Sequence, residues 1–380
     1  MKGLLKNSVS PIIMLAMVIA TAFTFSCSSN DTGGDEASLG GSSNGTALCK
    51  GEEHYLGYGY DVISSGYINR GDVKVAHSVL DQNKMCKDGV IVTAPYSEQD
   101  FKIFTGSSIR EFYQERNAGI NLSFGGGVTS VFFSGKFSTE FSSSNATSEN
   151  ITTYYSRVRS YRYTQDDYIK DATAQNLSEY LTESFVRDLE NKTASEILDQ
   201  YGTHIFIRYF KGGSLEANYT YSGSSLANNT QVKAAVEASY AGISGGVSGS
   251  NTSGKNELEQ RASFKYYTYG GKALGATSME QLKGEYGEWT ESIASNSDIC
   301  GIGDFNQSFI AIWDLAKAAG ETAKATQLES EFKRRAADQG LAFPLMKLFK
   351  TANATYTASN TSVSLNNIIP ASDRTKATIA

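Results

Sequence analysis

The chain is poor in the residues that most often carry chemistry. Only 3 His and 4 Cys occur in 380 residues, and none of them stands at the spacing a zinc site needs. There is no nucleophile elbow, phosphate loop or paired-carboxylate motif; with 40 Asp and Glu, chance acidic pairs carry no weight. These absences argue against an enzyme, an envelope glycosidase included, and against any cofactor or metal. A formal net charge of −6 leaves no basic footprint, which removes nucleic acid from the partners. Just 4 Pro accompany 36 Gly, and among many Ser, Thr and Asn that balance points to β structure joined by polar turns.

The apolar run over residues 12–25 follows Lys2 and Lys6. It is too short and too one-sided for a membrane-spanning helix and reads as a secretory signal peptide, residues 1–26. The run ends Thr24-Phe25-Ser26-Cys27. A small residue just before a Cys is what bacterial lipoprotein processing needs, so Cys27 is the expected lipidation site. Several acyl chains anchor durably, at about 0.8 kcal/mol per buried methylene. Residues 28–46 are Ser-, Gly-, Asn- and Asp-rich and make a solvated tether within a lipid-anchored segment 27–47. Among Cys49, Cys86 and Cys300 at most one internal disulfide can form, and Cys49 with Cys86 is the favoured pair. Asn-x-Ser/Thr triplets at Asn145, Asn218 and Asn251 are mostly a coincidence of composition.

From residue 48 to 340 no linker divides the chain, so one large domain is expected there, with a short tail over 341–380. Short strand-like runs stand at Val62-Ile63, Tyr67-Ile68 and Val73-Lys74-Val75. Ser107 and Ser108 cap a helix over 107–114. Two low-complexity, strand-like stretches follow, 121–163 and 218–269. Between them, Leu177, Tyr180, Leu181, Phe185 and Leu189 share one face of a helix over 176–189. Thr193 and Glu196 form a capping box, and Gly202 stops that helix as a left-handed residue. Ile205, Ile207 and Tyr209 then alternate as a strand. The last third reads as helices over 279–293, 305–319 and 323–337.

Tyr201-Gly202-Thr203-His204, followed by a strand and Gly212-Gly213, resembles the signature of the membrane attack complex/perforin family. Ile205 stands where the family usually has an aromatic residue. Leu56-Gly57-Tyr58-Gly59-Tyr60-Asp61 resembles the family's opening strand, Gly270-Gly271 its later glycine pair, and Phe309-Ile310-Ala311-Ile312-Trp313-Asp314-Leu315 its closing helix. The likeness, which extends to bacterial (Bacteroidales-type) antimicrobial lipoproteins, spans about residues 48–340. It implies an α+β fold in which a bent four-stranded antiparallel sheet is flanked by two helical clusters, as in cholesterol-dependent cytolysins. It also implies a monomer in solution that forms a homo-oligomeric ring on a target-cell membrane, met through a lipid or an outer-membrane receptor. There each subunit's clusters unfold into two amphipathic β-hairpins. Gly212, Gly213, Gly270 and Gly271 would be the sheet hinge.

A barrel hairpin must alternate lipid-facing and lumen-facing residues. Phe133, Phe137 and Phe141 alternate against Lys136, Ser138 and Glu140, and Val232, Val236 and Tyr240 against Lys233, Glu237 and Ser239. Both apolar sets also repeat every four residues, so each can lie on one face of a helix in the soluble protein and face lipid as a strand. On pattern alone such segments are more often half-buried strands of an ordinary sandwich; their order around the signature favours insertion. His204 lacks metal-ligand company and is expected to fix the helix-to-strand junction. The reading is a pore-forming toxin at the bacterial surface or secreted from it, aimed at competing bacteria or host cells. The alternative is a non-lytic surface lipoprotein for adhesion or ligand binding.

Overall fold

The computed structural model describes residues 54–118, 132–141, 152–241 and 252–351, with side chains in the last segment described to 338. All lie within the compact unit Ser43–Ala380.

The chain opens with β1 (Tyr58–Tyr60), β2 (Val73–Ser78) and α1 (Gln82–Lys87). A 16-residue strand follows, β3 (Ile91–Gly106), then α2 (Ile109–Ala118), α3 (Phe137–Glu140) and the 17-residue β4 (Thr153–Ile169). Next come α4 (Ala174–Leu177), α5 (Glu183–Asn191), α6 (Ala194–Tyr201), β5 (His204–Phe206) and the 15-residue β6 (Arg208–Ser222). Then α7 (Asn229–Tyr240) and α8 (Thr252–Arg261) lead into β7 (Ser263–Tyr269). The chain finishes with α9 (Met279–Ser292), β8 (Asp298–Gly301), α10 (Phe305–Ser308), β9 (Phe309–Ala311), α11 (Ile312–Ala318) and α12 (Thr322–Thr351).

The main sheet runs β3-β4-β6-β7, antiparallel throughout, with β8 also pairing β6. Helices α2 and α3 lie in the connection between β3 and β4, and α7 and α8 in that between β6 and β7. This is the expected α+β arrangement of a four-stranded antiparallel sheet with two helical clusters. A second, smaller sheet has the order β2-β1-β5-β9. Its strands bury an aromatic core with Tyr60, Phe206, Phe309 and Trp313. Burying each such side chain is worth about 1.5–3 kcal/mol.

Several local expectations are corrected. Val62-Ile63 forms a turn and Tyr67-Ile68 a bend rather than strands; at the first, Asp61 Oδ1 accepts from the Ile63 backbone N–H and ties the chain into a local turn (2.9 Å). Strand β3, unread in the sequence, pairs with β4 over Ile91–Pro95 and Glu98–Gly106, on either side of a bulge. Among the described residues of the strand-like stretches 121–163 and 218–269, strand is found over 153–163, 218–222 and 263–269, and helix over α3, α7 and α8. The helix expected over 305–319 is broken: Phe309–Ala311 leaves it to pair with β5. The helix over 176–189 is likewise interrupted between α4 and α5, where Leu181 bridges Leu80. Cys86 is disulfide-bonded and Cys300 is a free, buried thiol; Cys49 and Cys27 lie outside the described residues.

Candidate functional site

The signature residues form a junction at the heart of the aromatic core. Helix α6 opens on the Thr193–Glu196 capping box, as expected, and ends at Gly202. That residue has φ +78° and ψ −169°, a region essentially open to Gly alone and not the left-handed helical form anticipated. A Cβ there would stand 2.8 Å from the Tyr60 backbone. The close approach lets Thr203 grip β1. Its N–H donates to the Tyr60 carbonyl (3.1 Å), and its Oγ1 accepts from the Val62 N–H (3.1 Å). His204 pairs with Tyr60 on one side and Ala311 on the other. Its ring packs in a box of Phe132, Phe305, Phe309, Trp313 and Phe332, with centroids 5.1–6.4 Å away. Nδ1 shares a 3.0 Å hydrogen bond with Thr203 Oγ1. Burial pushes the imidazole pKa down to about 3, so the ring is neutral and structural. Tyr201 donates to Asp188 Oδ2 (2.9 Å) and stacks edge-on against Phe185.

The paired glycines meet at one level of the main sheet. Register breaks fall between Pro95 and Glu98 on β3 and between Tyr163 and Gln165 on β4; on β6 the break against β8 falls between Phe210 and Lys211. Aligned bulges bend the strands that carry them. Gly212, Gly270 and Gly271 have φ of +152°, +68° and +71°, where a side chain would be strained. A Cβ on Gly212 would collide with the Arg162 carbonyl oxygen, and one on Gly270 with the Gly212 carbonyl. Helix α9 closes over this corner. Trp289 Nε1 donates to the Gly270 carbonyl (3.0 Å), and the Gly271 N–H donates to the Asn296 carbonyl (2.6 Å). A Cβ on Gly213 would strike Ile293 and the Trp289 ring. Gly213 and Gly271 are therefore glycine because α9 sits on them, whereas Gly212 and Gly270 are glycine because of their backbone conformation and the close approach of neighbouring backbone.

The first helical cluster covers the charged face of the sheet. Phe137 and Phe141 stack on each other (4.8 Å) and pack with Phe112, Tyr113 and Tyr155. Phe133 does not join them on one helical face, as its spacing suggested. It precedes α3 with φ +59° and plugs into the aromatic core against Tyr60, Tyr67 and Phe309. Phe132 beside it enters the His204 box, so the signature junction is the socket that holds this segment. Arg116 donates to the Phe132 carbonyl (2.6 Å) and the Phe133 carbonyl (3.2 Å). Beneath α3, fully buried Arg157 of β4 pairs with Glu140 (2.6 Å) and with Glu216 of β6 (3.1 Å). Arg159 donates to the Cys300 carbonyl (2.6 Å). Burial pushes the Cys300 thiol up to about 12 and leaves it inert.

The second cluster covers the opposite, apolar face. Val232, Val236 and Tyr240 lie together on α7, buried against Ile103, Val158, Leu215 and Ala217. The two clusters touch through Lys233 and Glu115, 3.1 Å apart.

Pattern reading missed Arg157, Glu216 and the part played by Trp289, and it read Glu140 only as a polar alternate, not as Arg157's buried partner. The available signal was a pair of arginines, Arg157 and Arg159, on one face of an otherwise aromatic strand.

The profile of the MAC/Perforin domain family matches residues 50–302, two thirds of the chain. In fold, the chain is similar to GNIP1Aa of Chromobacterium piscinae, at 20% identity and a TM-score of 0.59, over 74% of this chain and 55% of that one. It is similar also to a MAC/Perforin-domain protein of Bacteroides thetaiotaomicron, at 14% identity and a TM-score of 0.55, over 72% and 60% of the two chains. It thus spans less than two thirds of either structure. No curated protein matches the sequence.

Proposed function

The chain belongs to the MAC/Perforin family, and from that premise we propose that it is a pore-forming toxin, not an enzyme, that assembles into a ring on a target membrane. Each subunit inserts the segments between β3 and β4 and between β6 and β7 as two hairpins. Cys27 carries lipid, the protein is displayed on or released from a bacterial outer membrane, and competing bacteria are its targets.

One observation carries this reading. Phe104, Arg157 and Asn218 are opposed across β3, β4 and β6 and share one face of the sheet. Side chains alternate along a strand, so this register can be extended through both connections. Counting back from Arg157, residues 141, 137 and 133 fall on that same face. Counting on from Asn218, residues 232, 236 and 240 do so too. The apolar residues of these two stretches thus converge on a single side of the lengthened sheet, as a barrel facing lipid requires, although the count carried back from Lys265 of β7 puts Lys255, Glu257, Glu259 and Arg261 of α8 on that side as well. The counts from β4 and from β6 agree. The neighbouring hydrogen-bonding edges would be satisfied by further subunits, since bare strand edges cannot face lipid.

The test uses the full lipidated protein with vesicles of bacterial outer-membrane lipid. Dye release together with ring-shaped particles by electron microscopy is expected, and killing across a panel of related bacteria identifies the target. Stable binding without leakage on every membrane would instead make it a non-lytic surface lipoprotein.

A further inference from the structure

The same register assigns the other wall of the barrel. Residues of opposite parity lie on the side away from lipid. Carried on from Gly106 of β3 without a bulge, the odd positions Glu111 and Glu115 fall there. Carried back from β4, Lys136 and Glu140 do; carried on from β6, Lys233 and Glu237. These are the charged residues of that parity among the described residues of the two connections, four carboxylates against two ammonium groups. We infer that the lumen of the inserted pore is acidic, about two negative charges per subunit, and that it passes cations in preference to anions.

In the folded monomer most of these charges hold the clusters shut. Glu140 pairs with Arg157, Glu115 with Lys233, and Lys136 with Asp72. Unfurling carries Glu140 to the face opposite Arg157, which keeps Glu216 as a neighbour on its own face. The carboxylates released from these pairs become the lumen wall. Such a preference fades with salt, since the screening length is about 8 Å at physiological ionic strength and about 30 Å at 0.01 M. It is therefore to be sought in dilute salt.

This inference rests on the hairpin insertion proposed above, and its test separates the two. The full protein is inserted into planar bilayers across a tenfold KCl gradient whose dilute side is about 10 mM. The expected reversal potential lies toward that of potassium. Glu111→Gln and Glu237→Gln, both at solvent-accessible positions, should each move it toward zero. Arg110→Gln, one residue from Glu111 but on the lipid-facing parity, should leave it in place. Conductance with no cation preference, or an equal shift from Arg110→Gln, overturns the acidic lumen and leaves the pore standing. Absence of any conductance overturns the pore and the lumen together.

Discussion

At the scale of single residues, the signature His and a buried carboxylate make opposite kinds of contribution. His204 is held neutral by its aromatic box, with a pKa near 3, whereas in an unfolded chain it titrates near about 6.5. Above that pH neither state binds the proton. As pH falls below it, the unfolded chain takes up a proton the folded one refuses, so stability declines by about 1.4 kcal/mol per pH unit until the folded pKa is reached. His204→Gln should remove this one-proton slope from urea unfolding followed between about pH 7 and pH 4. An unchanged slope would mean the ring is not the group responsible. Glu140 acts differently, because it is the removable half of a pair. Glu140→Gln keeps the shape but gives up a charged hydrogen bond worth about 1.5–3 kcal/mol. Arg157 retains Glu216, so the sheet should keep its protection. Hydrogen exchange in α2 and α3 should rise and dye release should start sooner. Arg157→Met is expected to be harsher, since it strips buried Glu140 of its cation and leaves Glu216 only Arg159, 3.8 Å away, a loss on the order of 3–5 kcal/mol.

At the scale of elements, α9 governs the glycine corner. Substituting Gly270 itself would say little about movement, because a Cβ there collides with the Gly212 carbonyl in the folded protein. Trp289→Phe is the cleaner change. It keeps an aromatic ring on the corner and deletes the Nε1 hydrogen bond to Gly270, at a cost of about 1 kcal/mol. Leakage from vesicles is expected to begin earlier with little change in binding; a slower onset would exclude a restraining role for α9. This corner also marks where sequence reading stops. The glycine pairs were legible as places needing unusual backbone, because composition exposes them. The helix that covers them reads only as a helix holding a Trp, since its partner lies some twenty residues back in the chain and across the sheet. Strand β3 was missed because its mixed polar sequence, half-exposed over much of its length, has no clean alternation. Val232, Val236 and Tyr240 were legible as one helical face because α7 is regular. Phe133 was not, because a positive φ interrupts the spacing just where its ring turns into the other core.

At the scale of the molecule, the fold separates what stays from what can leave. The aromatic core under the smaller sheet and the long strands β4 and β6 depend on contacts spread across the chain. The cluster around Phe112 and Phe141 is small, and the buried apolar residues of α7 and α8 belong to a cluster separate from the aromatic core. Stability is uneven in such an arrangement, and segments with few buried contacts open first. Phe132 and Phe133 are the exception, since both are buried in the lasting core. Withdrawing them costs on the order of 3–5 kcal/mol each if judged by truncation. Insertion of the first hairpin should therefore lag behind that of the second, which puts no residue into that core among its described residues. Hydrogen exchange on vesicles, sampled over time, is expected to lose helical protection in α7 and α8 before α2 and α3, while β4 and β6 stay protected throughout. Phe132→Ala, which empties the socket beside His204, should bring the two events closer together. If the first cluster opens ahead of the second in the unaltered protein, the aromatic plug is not what times the change.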